Sequence, residues 1–221
     1  MVILFDVDNT LLDNDRVTAD LGAFLTDAGG SAAAAGYFSV LEALRTELGY
    51  ADYLGALQLY RASRPHDFPF FGASAFLVDY PFAARLYAGA LAAVRHAGEL
   101  GEVAILSDGD AVFQPLKIGR SGLGTEVGGR VHIYVHKEQE LGEVERLSPA
   151  DHYVMVDDKR RLLAAIKAHW LDRVTTVWVR QGHYATAPDV DTYAEPDVAI
   201  DAIGDFPKLS AAELRAAARP R

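Results

Sequence analysis

The chain contains no cysteine. Disulfides, thiolate catalysis and cysteine-ligated zinc are therefore excluded. Basic residues are also scarce: 21 Lys and Arg stand against 31 Asp and Glu, for a formal net charge of -10 and a pI near 5.1. A surface this acidic lacks the broad positive field that holds nucleic acid or anionic lipid, and neither partner is expected. Long apolar runs are missing too, and nothing approaches the ~18 residues of a membrane span. The opening Met1-Val2-Ile3-Leu4-Phe5 is too short for a signal-peptide core, with no basic region before it. The expectation is a cytoplasmic protein. A small phosphate could still bind locally, through a metal ion and one well-placed lysine. What the chain has in quantity is apolar: half of its 221 residues are hydrophobic, enough for one sizeable core and a smaller appended unit.

Short β-rich runs alternate with helical patterns. Val2 to Phe5, Glu102 to Leu106, Val131 to Val135, Tyr153 to Val156 and Val174 to Val179 read as strands, with Val198 to Ile200 as a sixth. Continuous apolar runs of this kind suit strands covered on both faces of a parallel sheet. Pro81 to Ala97, Val112 to Ile118, Lys159 to Trp170 and Ala211 to Ala218 carry apolar residues at helical spacing. The alternation predicts an α/β fold with a doubly wound, Rossmann-like parallel sheet.

One interval breaks the rhythm. Roughly ninety residues separate the first two strands, far more than a crossover helix needs. Asp15 to Gly29, Tyr37 to Gly49 and Ala51 to Ser63 read as helices, Ser31 to Gly36 as a linker or helix start, and Pro65 to Phe76 as an irregular loop. The expected division is a catalytic core of residues 1–13 and 81–221, with a small α-helical domain of residues 14–80 inserted after the first strand.

Catalytic residue types cluster where four strands end. Asp6 and Asp8 follow the first, Ser107 the second, Lys137 the third, and Asp157 and Asp158 the fourth. Open α/β sheets bind ligands outside the carboxyl ends of their strands, so the topology predicts that these residues meet. Gathered carboxylates repel one another and invite a divalent cation, and hard oxygen ligands favour magnesium. A carboxylate can attack phosphorus to give an aspartyl-phosphate that water later hydrolyses. A second carboxylate two residues away can protonate the leaving oxygen and then activate that water.

These segments have a family resemblance. Asp6-Val7-Asp8-Asn9-Thr10-Leu11-Leu12-Asp13 resembles the first motif of the haloacid dehalogenase-like superfamily, DxDxT after a strand. Ile105-Leu106-Ser107-Asp108-Gly109 resembles the second, Lys137 sits where the third is expected, and Val154-Met155-Val156-Asp157-Asp158 resembles the fourth. The resemblance covers Val2 to about Val179. It implies Asp6 as nucleophile and metal ligand, and Asp8 as acid/base whose backbone carbonyl also binds the metal. Ser107, Asp108 and Lys137 would hold the phosphoryl group. Of Asp157 and Asp158, one would bind Mg2+ directly, with Asp158 preferred, and the other through water. Lys159 is a rival to Lys137, but the family's lysine precedes the acidic pair. The resemblance also implies that the helical insert is a cap that closes over the site and selects substrate.

Plainer explanations cover several other residues. Asp13 and Asp15 suit a loop and helix cap, and Asp108 and Asp110 the start of the next helix. The glycines from Gly119 to Gly129 belong at the opposite edge of the sheet from a phosphate site. His132 and His136 read as hydrogen-bonded residues before a metal pair. His183 lies in a loop at the active edge and is a candidate substrate contact. Phe68, Phe70, Phe71 and Phe76 read as core of the insert, and the arginines Arg16, Arg45, Arg61, Arg64 and Arg85 as solvated.

The expected activity is a magnesium-dependent phosphatase acting on a small phosphorylated metabolite. A phosphosugar mutase, a phospho-accepting signalling domain and a non-catalytic binding module are the alternatives. Asp8 argues against a dehalogenase, and the lack of a lysine before Lys117 argues against a phosphonate hydrolase with a lysine in its cap. Neither oligomeric state nor substrate identity is legible.

Overall fold

A computed structural model describes residues 1–63 and 70–218. Six parallel strands form one sheet in the order β3-β2-β1-β4-β5-β6. They are β1 (Val2–Phe5), β2 (Glu102–Asp108), β3 (Val131–Tyr134), β4 (Tyr153–Asp157), β5 (Val174–Val179) and β6 (Val198–Ile200). The register aligns Phe5 with Ile105 on one side and Val156 on the other. The strand order reverses between β1 and β4, so Asp6 and Asp157 emerge at the topological switch point, where ligands of such sheets bind.

The side chains of each strand alternate between two cores. Ile3, Phe5, Val103, Ile105, Val154 and Val156 pack on one face, while Val2, Leu4, Ala104, Leu106, Tyr153 and Met155 pack on the other. A period of two with both sets apolar is what covering on both faces demands. Helices α5 (Ala90–Leu100), α6 (Phe113–Ser121), α7 (Leu123–Glu126) and α10 (Ala211–Ala217) cover the first face. Helices α8 (Leu141–Leu147) and α9 (Arg160–Trp170) cover the second.

Among the described residues, four helices occupy the long interval: α1 (Asn14–Gly29), α2 (Ser31–Leu48), α3 (Tyr53–Ser63) and α4 (Phe70–Asp79). Asp13 caps α1 by accepting from the Arg16 amide. Leu21, Leu25, Tyr37, Leu41, Tyr53 and Tyr60 form the interior of this insert, which runs on into the first core.

One open alternative is decided and three local expectations are corrected. Of the two readings of the alanine-rich stretch, the helix start holds: α2 begins at Ser31, where Ala33 and Ala34 are buried and continue the helical face. The supposed irregular loop is helical from Phe70, where α4 stacks Phe76 on Phe24 at 5.0 Å; residues 64–69, with Arg64 and Phe68, lie outside the described residues. Phe71 is no core residue, being 90% exposed. Pro81 to Ala97 is not one helix. A 3-10 turn at Phe82–Arg85 is followed by Leu86 in extended form, bridged to Leu12, and by Gly89 in left-handed conformation (φ 84°). A Cβ on Gly89 would lie 2.6 Å from the Gly204 Cα, so this turn needs glycine for space as well as for φ. Helix α8 is an addition that the sequence did not signal.

Candidate active site

Strand ends deliver the four groups to one place. Asp6 follows β1 directly and is almost wholly buried. Its Oδ1 accepts a hydrogen bond from Lys137 Nζ at 2.6 Å, and from Ser107 Oγ at 3.4 Å. The same Lys137 Nζ lies 2.7 Å from Asp157 Oδ2. Lys137 begins a short 3-10 turn after β3, and its backbone N–H donates to Asp108 Oδ1 at 2.8 Å. Asp108 therefore anchors the lysine. Gln114, from α6, donates to Ser107 Oγ at 3.0 Å and fixes the hydroxyl from behind.

Burial alone would make the Lys137 ammonium less basic. Asp157, Asp6 and Asp108 outweigh that cost and raise its pKa, so the group stays charged. Burial pushes the Asp158 carboxyl well above the ordinary carboxylate range; Lys159 opposes the shift, while Asp157 and Asp6 add to it as like charges. Burial likewise raises Asp108. Lys159 Nζ lies 4.9 Å from the Tyr184 ring centroid, and its pKa is raised by Asp158, Asp6 and Asp157 against the cost of burial. Both candidate lysines thus face the acids, but Lys137 is the one in direct contact.

Ligand oxygens of Asp6, Asp157 and Asp158 lie within 4.8 Å of one another. Asp6 Oδ2 and both oxygens of Asp158 are buried without a hydrogen-bond partner. Orphaned carboxylate oxygens at this depth are costly unless something else satisfies them. The donor set is all oxygen and anionic, which fits a hard divalent cation. The Asp8 carboxylate is not part of this trio.

Asp8 instead meets a lysine that chain position had left outside the site. Lys117, on α6 and 1% exposed, donates to Asp8 Oδ1 and Oδ2 at 2.7 and 2.8 Å. Lys117 shares the buried face of α6 with Phe113, Gln114 and Ile118, and helical spacing does not tell which group its ammonium meets. Asn9 follows Asp8 in left-handed conformation (φ 61°). Its amide donates to Asp15 Oδ1 at 2.9 Å, and Asp15 Oδ1 also lies 2.6 Å from His183 Nδ1. Burial would raise the Asp15 pKa, but the hydrogen bonds of His183 and Asn9 bring it below the ordinary value. Asp15 is therefore more than a helix-start residue. A Cβ on Gly182 (φ 65°) would meet Asn9 Cβ at 2.6 Å, so glycine lets this loop close on the first motif.

A cavity of about 540 Å³ lies between the insert and the strand ends. Asp8, Asp108 and Lys159 line it from the core, and Asn14, Arg45 and Tyr53 from the insert. His183 and Tyr184 connect it to a neighbouring cavity of about 450 Å³. Both volumes suit a small metabolite. His132 bonds to Ser148 Oγ at 3.3 Å, and the glycines around Gly119 to Gly129 precede β3, at the other end of the sheet. Asp110 starts α6 by accepting from the Val112 and Phe113 amides.

A parallel sheet with a buried aspartate after its first strand, a lysine contacting it and an acidic pair after the neighbouring strand gathers these groups at the carboxyl edge, where open α/β sheets bind their ligands. No family model matches the chain, and no curated protein matches it. Among solved structures, a haloacid dehalogenase-like hydrolase from Burkholderia xenovorans LB400 is 56% identical, with a TM-score of 0.92 over 96% of this chain and 97% of that one. The chain belongs to the haloacid dehalogenase-like hydrolases. The L-2-haloacid dehalogenase of Xanthobacter autotrophicus shares the fold at 20% identity and a TM-score of 0.61, over 94% of this chain and 97% of that one. So does a family hydrolase of Bacillus subtilis bound to magnesium, at 15% identity and a TM-score of 0.61, over 93% and 96%.

Proposed function

We propose that the chain is a magnesium-dependent phosphatase that hydrolyses a small phosphorylated metabolite, with Asp6 as nucleophile. One observation carries this reading: the buried Asp6 carboxylate has one oxygen held by Lys137 and the other, Oδ2, without a partner. A carboxylate so placed is fixed in position and keeps oxygen capacity for the cation and for attack.

In the first half-reaction a bond forms from a carboxylate oxygen of Asp6 to phosphorus, and the bond from phosphorus to the ester oxygen breaks. Asp8 passes a proton to the departing oxygen. In the second half, water attacks the phosphorus of the aspartyl-phosphate while Asp8 takes up its proton. Over the cycle Asp8 thus gives up one proton and regains one. Lys137 and Ser107 would hold the phosphoryl oxygens, with Asp108 acting through Lys137. Asp6, Asp157 and Asp158 would hold Mg2+, with the Asp8 backbone carbonyl. Asp158 is the favoured direct ligand, because Asp157 is already engaged by Lys137 and by the Lys159 amide at 2.8 Å. Bound there, the cation would offset the charge of the phosphoryl group. The helical insert would serve as a cap, covering the cavity and selecting substrate.

The test is a panel of phosphorylated metabolites assayed with magnesium. Phosphate release that EDTA abolishes and magnesium restores is the expected result. Halide release from 2-haloacids without any phosphatase activity would replace this reading with dehalogenation. Accumulation of a hexose bisphosphate would point to a mutase, and a lasting aspartyl-phosphate without turnover to a signalling domain.

A further inference from the structure

The geometry points to Lys117 as a positioning residue for Asp8, one that ties the acid/base carboxylate to the helical insert. The inference rests on the phosphatase reading, because it assumes that Asp8 acts in the reaction. Three donors are available on an ammonium group, and all three are used here. Two go to the two oxygens of Asp8, at 2.7 and 2.8 Å, and the third goes to Asn14 Oδ1 at 3.0 Å. Asn14 is the first residue of α1. Its own amide donates to Tyr53 Oη at 3.1 Å, and Tyr53 Oη lies 2.7 Å from Thr18 Oγ1. The chain of contacts therefore runs from Asp8 in the core, through Lys117, to α1 and α3 of the insert.

The surroundings leave the ammonium little alternative. Its Nζ is 5.4 Å from the Phe113 ring centroid and 6.0 Å from that of Tyr53. Aromatic faces tolerate a cation but cannot replace its hydrogen bonds. A lysine buried to this extent is held by its partners, and it holds them in turn. Asp8 retains some exposure to the cavity, so its carboxylate would be free to rotate without the two bonds to Lys117. Catalysis is sensitive to such freedom: a displacement of about 1 Å can cost on the order of 10²-fold in rate.

A double-mutant cycle on turnover of p-nitrophenyl phosphate tests the inference. Lys117→Met keeps the length of the side chain and removes its charge and donors. Alone, it should lower kcat by about 10- to 10²-fold with little change in KM. In an Asp8→Asn background the same substitution should cost no more than about twofold, because its effect passes through Asp8. A purely structural lysine would cost the same in both backgrounds, and that result would overturn the inference. So would a kcat for Lys117→Met within twofold of wild type.

Where Lys117→Met does not fold, Asn14→Leu removes the third bond of the ammonium, together with the Asn14 amide's own bond to Tyr53, and leaves both bonds to Asp8 in place. It should show the same non-additivity with Asp8→Asn at a smaller, severalfold scale, and additive losses would again refute the inference. If the wild-type protein hydrolyses no phosphoester, the phosphatase reading fails first and this inference with it. If Asp8→Asn slows turnover but the cycle is additive, only the role of Lys117 is lost.

Discussion

Two buried lysine–aspartate centres sit at opposite ends of the same sheet, and they differ in what they leave unsatisfied. At the amino end, Lys167 Nζ donates to Asp197 Oδ2 and to the Val174 carbonyl, both at 2.8 Å. The same Asp197 oxygen accepts from the Thr176 amide and hydroxyl at 2.9 and 3.1 Å. At the carboxyl end, Lys137 touches Asp6 and Asp157 as closely, yet Asp6 Oδ2 and both Asp158 oxygens find no partner. Burial and ion pairing are common to both centres and so do not mark a site. Orphaned acceptors do, because a stable interior rarely keeps them without a use.

Substitutions at the two ends should separate this contrast into activity and stability. Asp6→Asn should have the largest effect, abolishing turnover while circular dichroism and the melting profile still report a folded protein. Substantial residual activity would remove Asp6 from the nucleophile's role. Asp8→Asn should come next, slowing hydrolysis by roughly 10²–10⁴-fold, the usual cost of losing an acid/base group; an unchanged rate would leave Asp8 without a catalytic part. The opposite end should answer differently. Lys167→Met removes the cation beside the buried Asp197 carboxylate and should cost about 3–5 kcal/mol of unfolding free energy in a denaturant titration. The fraction that remains folded should turn over normally. A loss of kcat in that fraction would mean that the two ends are coupled, and the contrast drawn here would fail.

The strands were legible because their side chains alternate between two apolar cores, which writes near-continuous apolar runs into the sequence. Asp6, Ser107, Lys137 and Asp157 were legible for a related reason. Each stands at or just past the end of a strand, and a parallel sheet has only one carboxyl edge. Lys117 was not, because it comes from the middle of a helix and reaches the site by its side-chain length alone. Neither was the break after Arg85, which depends on Leu86 bridging to Leu12 and on Gly89 packing against Gly204. Periodicity within one segment carries no record of such distant neighbours. The Asn9–Asp15–His183 contact also escaped notice, since it joins residues at both ends of the chain through a loop glycine.

The amino-acid order by itself determined the strand sequence, the place of the helical insert and the set of acids, hydroxyl and lysine available for chemistry. It did so because hydrophobic period and motif spacing are local properties of a chain. Tertiary structure alone decided which lysine meets which carboxylate and which oxygens stay without partners. Those outcomes depend on ångström-scale distances between segments far apart along the backbone, where only packing brings them together.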